Sequence, residues 1–171
     1  MNKNLDHYVK VYNNWLDDDV CDKTISELSN ANWNKHEYFN PGDKISGHQN
    51  GDRELDVCMY DASTKEHIMQ RIWDVYQRYV TELNFTWFSS WSGFSEVRFN
   101  KYSENQIMSK HCDHIHTLFE GERLGVPTMT ALGALNDGYE GGEFIMFDNE
   151  IFLLLVCLVA ALSNFTIIGN L

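Results

Sequence analysis

The chain has 171 residues, 43% hydrophobic and 22% charged, with a formal net charge of −12. Such values are typical of one globular domain with a sizeable core, and the acidic charge disfavours nucleic acid binding, which needs a surplus of lysine and arginine. The four cysteines are scattered without a CxxC pair, which disfavours a zinc ribbon or a disulfide framework and indicates a reducing compartment. No apolar signal segment stands at the start, so a cytoplasmic location is predicted.

Two helices are predicted in the first half of the chain. In residues 15–33, Asp17 to Asp19 offer N-cap oxygens and complement the positive end of the helix dipole. Residues 64–83 carry apolar side chains at helical spacing, which predicts a helix packed on a sheet. Between these helices, residues 40–56 are rich in turn formers and are predicted to be a long surface loop.

Strands are predicted in the second half. Residues 95–102, "SEVRFNKY", alternate apolar and polar side chains, and residues 128–137, "TMTALGALND", resemble a buried strand. Residues 138–147, "GYEGGEFIMF", predict a turn followed by another strand. Helices followed by strands indicate an α+β domain over residues 1–150, with a helical part in 1–90 and a β core in 91–150.

Residues 109–116, "SKHCDHIH", contain a concentration of potential metal ligands. In an extended segment His111 and Asp113 share one face, and an imidazole with a carboxylate suits Fe(II), Mn(II) or Zn(II). The alternative is a solvated histidine and aspartate near a loop. His114 is a candidate outer-shell or substrate-contacting group, whereas His116 is interpreted as a surface residue.

Two longer stretches carry a family resemblance: "VRFNKYSENQIMSKHCDHIH" and "GALNDGYEGGEF". Together they resemble the catalytic core of the prolyl 4-hydroxylase-like 2-oxoglutarate- and Fe(II)-dependent oxygenases, most of all the small bacterial and phage members, over about residues 94–148. The resemblance implies a double-stranded β-helix (jelly roll) core with flanking N-terminal helices. It also implies that His111 and Asp113 are catalytic iron ligands and that Gly141 and Gly142 form a structural turn. Tyr102 matches a tyrosine that points into the co-substrate pocket in the family; the alternative is a structural aromatic residue at a strand end.

The cofactors implied by the resemblance are Fe(II), 2-oxoglutarate as co-substrate, and ascorbate. The implied reaction is hydroxylation of a protein prolyl or similar residue, so a protein or peptide is the expected partner. The family also has a third iron ligand, a histidine downstream, and then a lysine or arginine for the distal carboxylate of 2-oxoglutarate. Here the last histidine is His116 and the last basic residue is Arg123. Weak co-substrate binding and little turnover are therefore expected, and a non-catalytic metal- or partner-binding jelly roll is the alternative function.

The last 21 residues, 151–171, have no charged side chain, whereas all 38 Asp, Glu, Lys and Arg residues precede them. Three interpretations of this apolar tail stay open. The first is a membrane anchor over residues 151–168, although membrane association is not favoured. The second is a buried strand or helix. The third is the product of a frameshift or truncation that replaced the closing strands. The third interpretation predicts a jelly roll that is incomplete at its C-terminal side.

Overall fold

The computed structural model describes residues 5–40, 45–84, 95–111, 129–142, 144–146, 150–152 and 166–170. Within these ranges the protein is a mixed α/β chain with two α-helices and a small antiparallel sheet. The helices are α1 (Asp18–Leu28) and α2 (Lys65–Leu83). The strands are β1 (Asn34–Lys35), β2 (Tyr38–Asn40), β3 (Ile45–Gly47), β4 (Asp56–Cys58), β5 (Arg98–Lys101), β6 (Thr130–Ala134), β7 (Phe144–Met146), β8 (Glu150–Phe152) and β9 (Thr166–Asn170).

Five strands form the main sheet in the order β1-β4-β5-β9-β6. Every pair of neighbours is antiparallel. Phe99 in β5 lies opposite Cys58 on one side and Ile167 on the other, so β5 occupies the middle of the sheet. Two separate hairpins, β2–β3 and β7–β8, complete the described strands.

Both predicted helices are confirmed. Helix α1 begins after Asp17, and its two first-turn carboxylates lie where the helix dipole favours negative charge. Helix α2 buries Ile68, Ile72 and Tyr76, which recur every four residues on one face. It ends at Asn84 in the left-handed conformation (φ 47°), a backbone geometry that asparagine tolerates at helix C-termini.

The interpretation of residues 40–56 as a long surface loop is wrong in part. This stretch contains β3, a 3-10 turn at Gly51–Arg53 and the fully buried residues Glu54 and Leu55. The expected helical part before residue 90 also contains four short strands, of which β1 and β4 pair into the main sheet. The turn-forming residues obscured this because strands of two or three residues are too short to produce a periodic pattern.

The strands predicted after residue 95 are confirmed at β5, β6 and β7. Val97 directly precedes β5, and Phe99 lies within it. Both are buried, as the alternation of apolar and polar residues indicated. Gly141 and Gly142 precede β7 with φ values of 84° and 73°, which non-glycine residues rarely adopt. Their interpretation as a structural turn is therefore supported by the backbone.

The apolar tail is described at its two ends. Residues 150–152 form β8, and residues 166–170 form β9, which lies between β5 and β6 in the main sheet. Because strands occupy both ends of 151–168, a membrane-spanning helix across that whole range is wrong. In the part of the chain that the structure describes, no helix has the length and apolar character needed to cross a membrane.

The core forms where the N-terminal segment and α2 meet the sheet. Trp15 lies directly against β6: a Cβ atom added to Gly133 would overlap Trp15 Cζ2. Trp15 is 5% exposed, so its ring has little space into which it can retreat. The close approach of an indole to the strand backbone therefore requires glycine at position 133.

Replacing this glycine is expected to destabilise the fold. Gly133→Ala forces Trp15 or β6 to shift and should lower the free energy of unfolding by about 1–3 kcal/mol. Gly47→Ala is the matched control, because Gly47 also lies in a strand and a Cβ there meets nothing within 4 Å. Denaturant titration of both variants checks this, and equal midpoints for the two would contradict the packing described.

Candidate metal-binding site

The chain leaves β5 at Tyr102, and the following segment docks on the N-terminal part of the sheet. Ile107 forms a parallel bridge with Glu54, and its N–H donates to the carbonyl of Arg53 at 2.9 Å. The Arg53 side chain in turn donates from Nε to the carbonyl of Asn105 at 3.1 Å. These bonds fix the path of residues 103–109 and bring His111 beside β2.

His111 is exposed and oriented by two contacts. Its Nδ1 lies 2.7 Å from the carbonyl oxygen of Ser109, and its ring meets the Tyr38 ring edge-to-face with centroids 5.8 Å apart. A carbonyl only accepts, so Nδ1 carries the proton and the lone pair lies on Nε2. Metal-binding histidines commonly donate one ring N–H to a carbonyl in this way, so His111 fits the role of a metal ligand.

Asp113, the second predicted ligand, lies outside the described residues, as do Cys112, His114 and His116. The prediction that His111 and Asp113 share one face of an extended segment therefore stays a prediction. His111 itself belongs to none of the described strands. Among the described residues, no three potential ligands are grouped closely enough to hold a metal ion.

Tyr102, the predicted co-substrate contact, is a half-buried phenol whose hydroxyl donates to Met108 Sδ at 3.8 Å. Burial raises the pKa of Tyr102 to about 12, while the nearby positive charge of Arg98 opposes that rise. Burial likewise raises the pKa of Tyr38. Both phenols are therefore neutral near pH 7 and able to donate a hydrogen bond to an anion.

A buried histidine lies behind Tyr38. The ring of His36 contacts Tyr38 edge-to-face at 4.5 Å between centroids, and its Nδ1 lies 3.9 Å from Glu54 Oε1. That separation would suit an ion pair if the ring were protonated, but it is too long for a hydrogen bond. Burial, and then the positive charge of Arg98, lower the pKa of His36 to about 4 despite the opposing effect of Glu54. His36 is therefore neutral near pH 7, because the effect of burial outweighs that of the nearby carboxylate.

The Glu54 carboxylate has no exposed surface and is held by the loop that precedes it. It accepts hydrogen bonds from the backbone N–H groups of Gln49 (3.1 Å) and Asn50 (3.0 Å). The side-chain amide of Asn50 adds contacts of 3.1 and 3.2 Å to its two oxygens. A buried carboxylate requires such partners, because burial without them is very unfavourable.

Four residues near this segment were not predicted from the sequence: His36, Tyr38, Asn50 and Glu54. Of these, Tyr38 contacts the His111 ring directly, whereas Asn50 bonds Ser109. All four fall outside any predicted element or within the predicted loop, and no motif marks them. One usable signal was present: Leu55 and Val57 alternate with polar neighbours in "ELDVC", which is typical of a strand.

Asn100, one of the polar side chains that alternate with apolar ones in residues 95–102, is buried. This residue is 1% exposed, and its Oδ1 has no hydrogen-bond partner among the described residues. The alternation in β5 therefore separates two buried sides, an apolar one at Phe99 and a polar one at Asn100. Asn100 and Tyr102 are two residues apart and close enough for the Asn100 side chain to bond the phenol.

Comparisons of the chain with known protein families, with curated proteins and with solved structures find no match.

The neutral state of His36 predicts a loss of stability in acid. In the unfolded chain the ring protonates near its ordinary pKa of 6.5, whereas in the fold it does so only near 4. The unfolded state therefore binds more protons between these values, and stability falls as the pH drops from 6.5 towards 4, by up to roughly 3 kcal/mol. His36→Gln should remove this component, as measured by denaturant unfolding at pH 7 and pH 4. Equal pH dependence in both proteins would contradict the assignment.

Proposed function

We propose that the chain is a 2-oxoglutarate- and Fe(II)-dependent dioxygenase of the prolyl 4-hydroxylase type, built on a jelly-roll core. The observation that carries the proposal is the presentation of His111. It is exposed, its Nδ1 is engaged by a backbone carbonyl, and it follows the neutral, half-buried phenol of Tyr102 by nine residues. These features suit one iron ligand next to a contact for an anionic co-substrate.

In this proposal His111 and Asp113 hold iron, and the Tyr102 hydroxyl donates a hydrogen bond to a carboxylate of 2-oxoglutarate. Iron with its co-substrate supplies the oxidative decarboxylation that is coupled to hydroxylation, and ascorbate keeps the iron reduced. The protein contributes orientation, a neutral hydrogen-bond donor and the positive charge of Arg98, which lies close enough to influence Tyr102. The substrate is a protein prolyl or similar residue.

Turnover by this chain is expected to be slow. The 171 residues contain no histidine after His116 and no lysine or arginine after Arg123, the residue types that supply the family's third iron ligand and basic anchor. This observation favours a second candidate function, a domain that binds metal or a partner without turnover. The two candidates differ in whether bound iron produces succinate from 2-oxoglutarate.

Metal binding should depend on His111. Replacing it with alanine removes a ligand, so His111→Ala should weaken binding of Fe(II) or Co(II) by at least about 100-fold, more than the loss of an outer-shell partner costs. His67→Ala is the matched control, because His67 is exposed on α2, in a different part of the chain. Anaerobic calorimetric titration measures both affinities, and equal binding by wild type and His111→Ala would overturn the proposed iron site.

Succinate formation tests the reaction itself. Incubation with Fe(II), ascorbate and 2-oxoglutarate should give slow, iron-dependent succinate production that Asp113→Ala abolishes. Tyr102→Phe should weaken 2-oxoglutarate binding by about 10-fold, the value of one hydrogen bond, while leaving iron affinity unchanged. Tyr60→Phe serves as the control for loss of a phenol. Iron binding with no succinate would reject the dioxygenase and support the metal-binding domain.

A further inference from the structure

The loop before β4 contributes no residue to the reaction proposed above. It nevertheless holds a fully buried carboxylate, that of Glu54. Glu54 accepts bonds from the Gln49 and Asn50 backbone and from Asn50 Nδ2. An ionised carboxylate can only accept, so Asn50 must present its NH₂ group to Glu54. The orientation of the Asn50 amide is thereby fixed, and its Oδ1 faces away from the carboxylate.

The Asn50 oxygen meets a donor from a distant part of the chain. Ser109 Oγ donates to Asn50 Oδ1 at 2.8 Å, across 59 positions of sequence. Because Oδ1 is an acceptor, the serine hydroxyl must point its hydrogen at Asn50. In the hydrogen bonds that link Glu54 to Asn50 and Asn50 to Ser109, the donor and the acceptor are therefore both determined, because the carboxylate can only accept.

Ser109 is held at its backbone as well. Its N–H donates to the hydroxyl oxygen of Tyr38 at 2.6 Å, and its carbonyl accepts from His111 Nδ1 at 2.7 Å. The serine thus has its side chain bonded to the loop before β4, its amide bonded to β2, and its carbonyl oriented towards the imidazole. An exposed ring such as His111 would otherwise be able to carry its proton on either nitrogen.

We propose that Asn50 and Ser109 are positioning residues, which link the buried Glu54 carboxylate to the His111 imidazole and fix its Nδ1–H tautomer and orientation. This inference rests on the proposed function for its purpose, since a fixed Nδ1–H leaves the Nε2 lone pair aimed at one place. The tautomer of His111 can be measured in the metal-free protein, so this part of the proposal does not depend on iron binding. Outer-shell partners of this kind orient metal ligands and raise their affinity.

The first readout is the His111 tautomer, measured by long-range ¹⁵N–¹H correlation NMR on the metal-free full chain, with the signal assigned by its loss in His111→Gln. Wild type should be predominantly Nδ1–H. Ser109→Ala removes only the hydroxyl and should shift His111 towards a mixture of tautomers, whereas Ser109→Thr, which keeps a hydroxyl, should restore the wild-type spectrum. Ser103→Ala is the matched control, because Ser103 bonds Gln106 through a backbone N–H that the substitution keeps.

The second readout is Co(II) affinity for the same proteins. Ser109→Ala and Asn50→Ala should each lose about 10–100-fold, while Ser109→Thr and Ser103→Ala should bind like wild type. A tautomer unchanged in Ser109→Ala overturns the positioning proposal, because a merely structural contact would leave the imidazole proton in place. If the tautomer shifts as expected but wild type binds no metal, the positioning holds and the proposed function fails. If circular dichroism shows that Ser109→Ala is unfolded, Tyr38→Phe replaces it in the tautomer and Co(II) measurements. That variant removes only the oxygen that accepts the Ser109 N–H.

Discussion

A carboxylate with no exposed surface, that of Glu54, must take its hydrogen bonds from protein groups, and it takes them from Gln49 and Asn50. This requirement shapes the loop that precedes β4, because two consecutive N–H groups and one side-chain amide have to converge on the same two oxygens. The same backbone continues into the bridge between Glu54 and Ile107. The path of the chain towards His111 therefore depends on a charge buried in another segment.

Two neutral groups lie near this carboxylate together with the positive charge of Arg98. Burial keeps His36 unprotonated and the Tyr102 phenol protonated, while Arg98 and Glu54 act on both groups with opposite sign. The charges of Arg98 and Glu54 therefore partly offset one another here, and the neutral Tyr102 phenol is left as a hydrogen-bond donor.

The sequence was sufficient to predict α2 and β5, whose buried apolar side chains recur at helical and at alternating spacing, and to predict β6 and β7 from their apolar composition and the preceding turn. Glu54 could not be predicted as buried, because its hydrogen-bonding partners are turn formers that look the same in a solvated loop. His111 was identified by residue type and by resemblance, but the serine that orients it was not. Its decisive bond, to Asn50, spans 59 positions, and no local pattern encodes a contact at that separation.

Strand β9 has a consequence for how the molecule assembles. Within the described residues, β6 joins the main sheet only by pairing with β9, and β5 has β9 as its neighbour on that side. During synthesis, both helices and the other four strands of the main sheet emerge before residues 166–170. Within the described residues, β5 and β6 are therefore joined in one sheet only once β9 has formed. Such non-local closure folds slowly and leaves strand edges unpaired until β9 is in place.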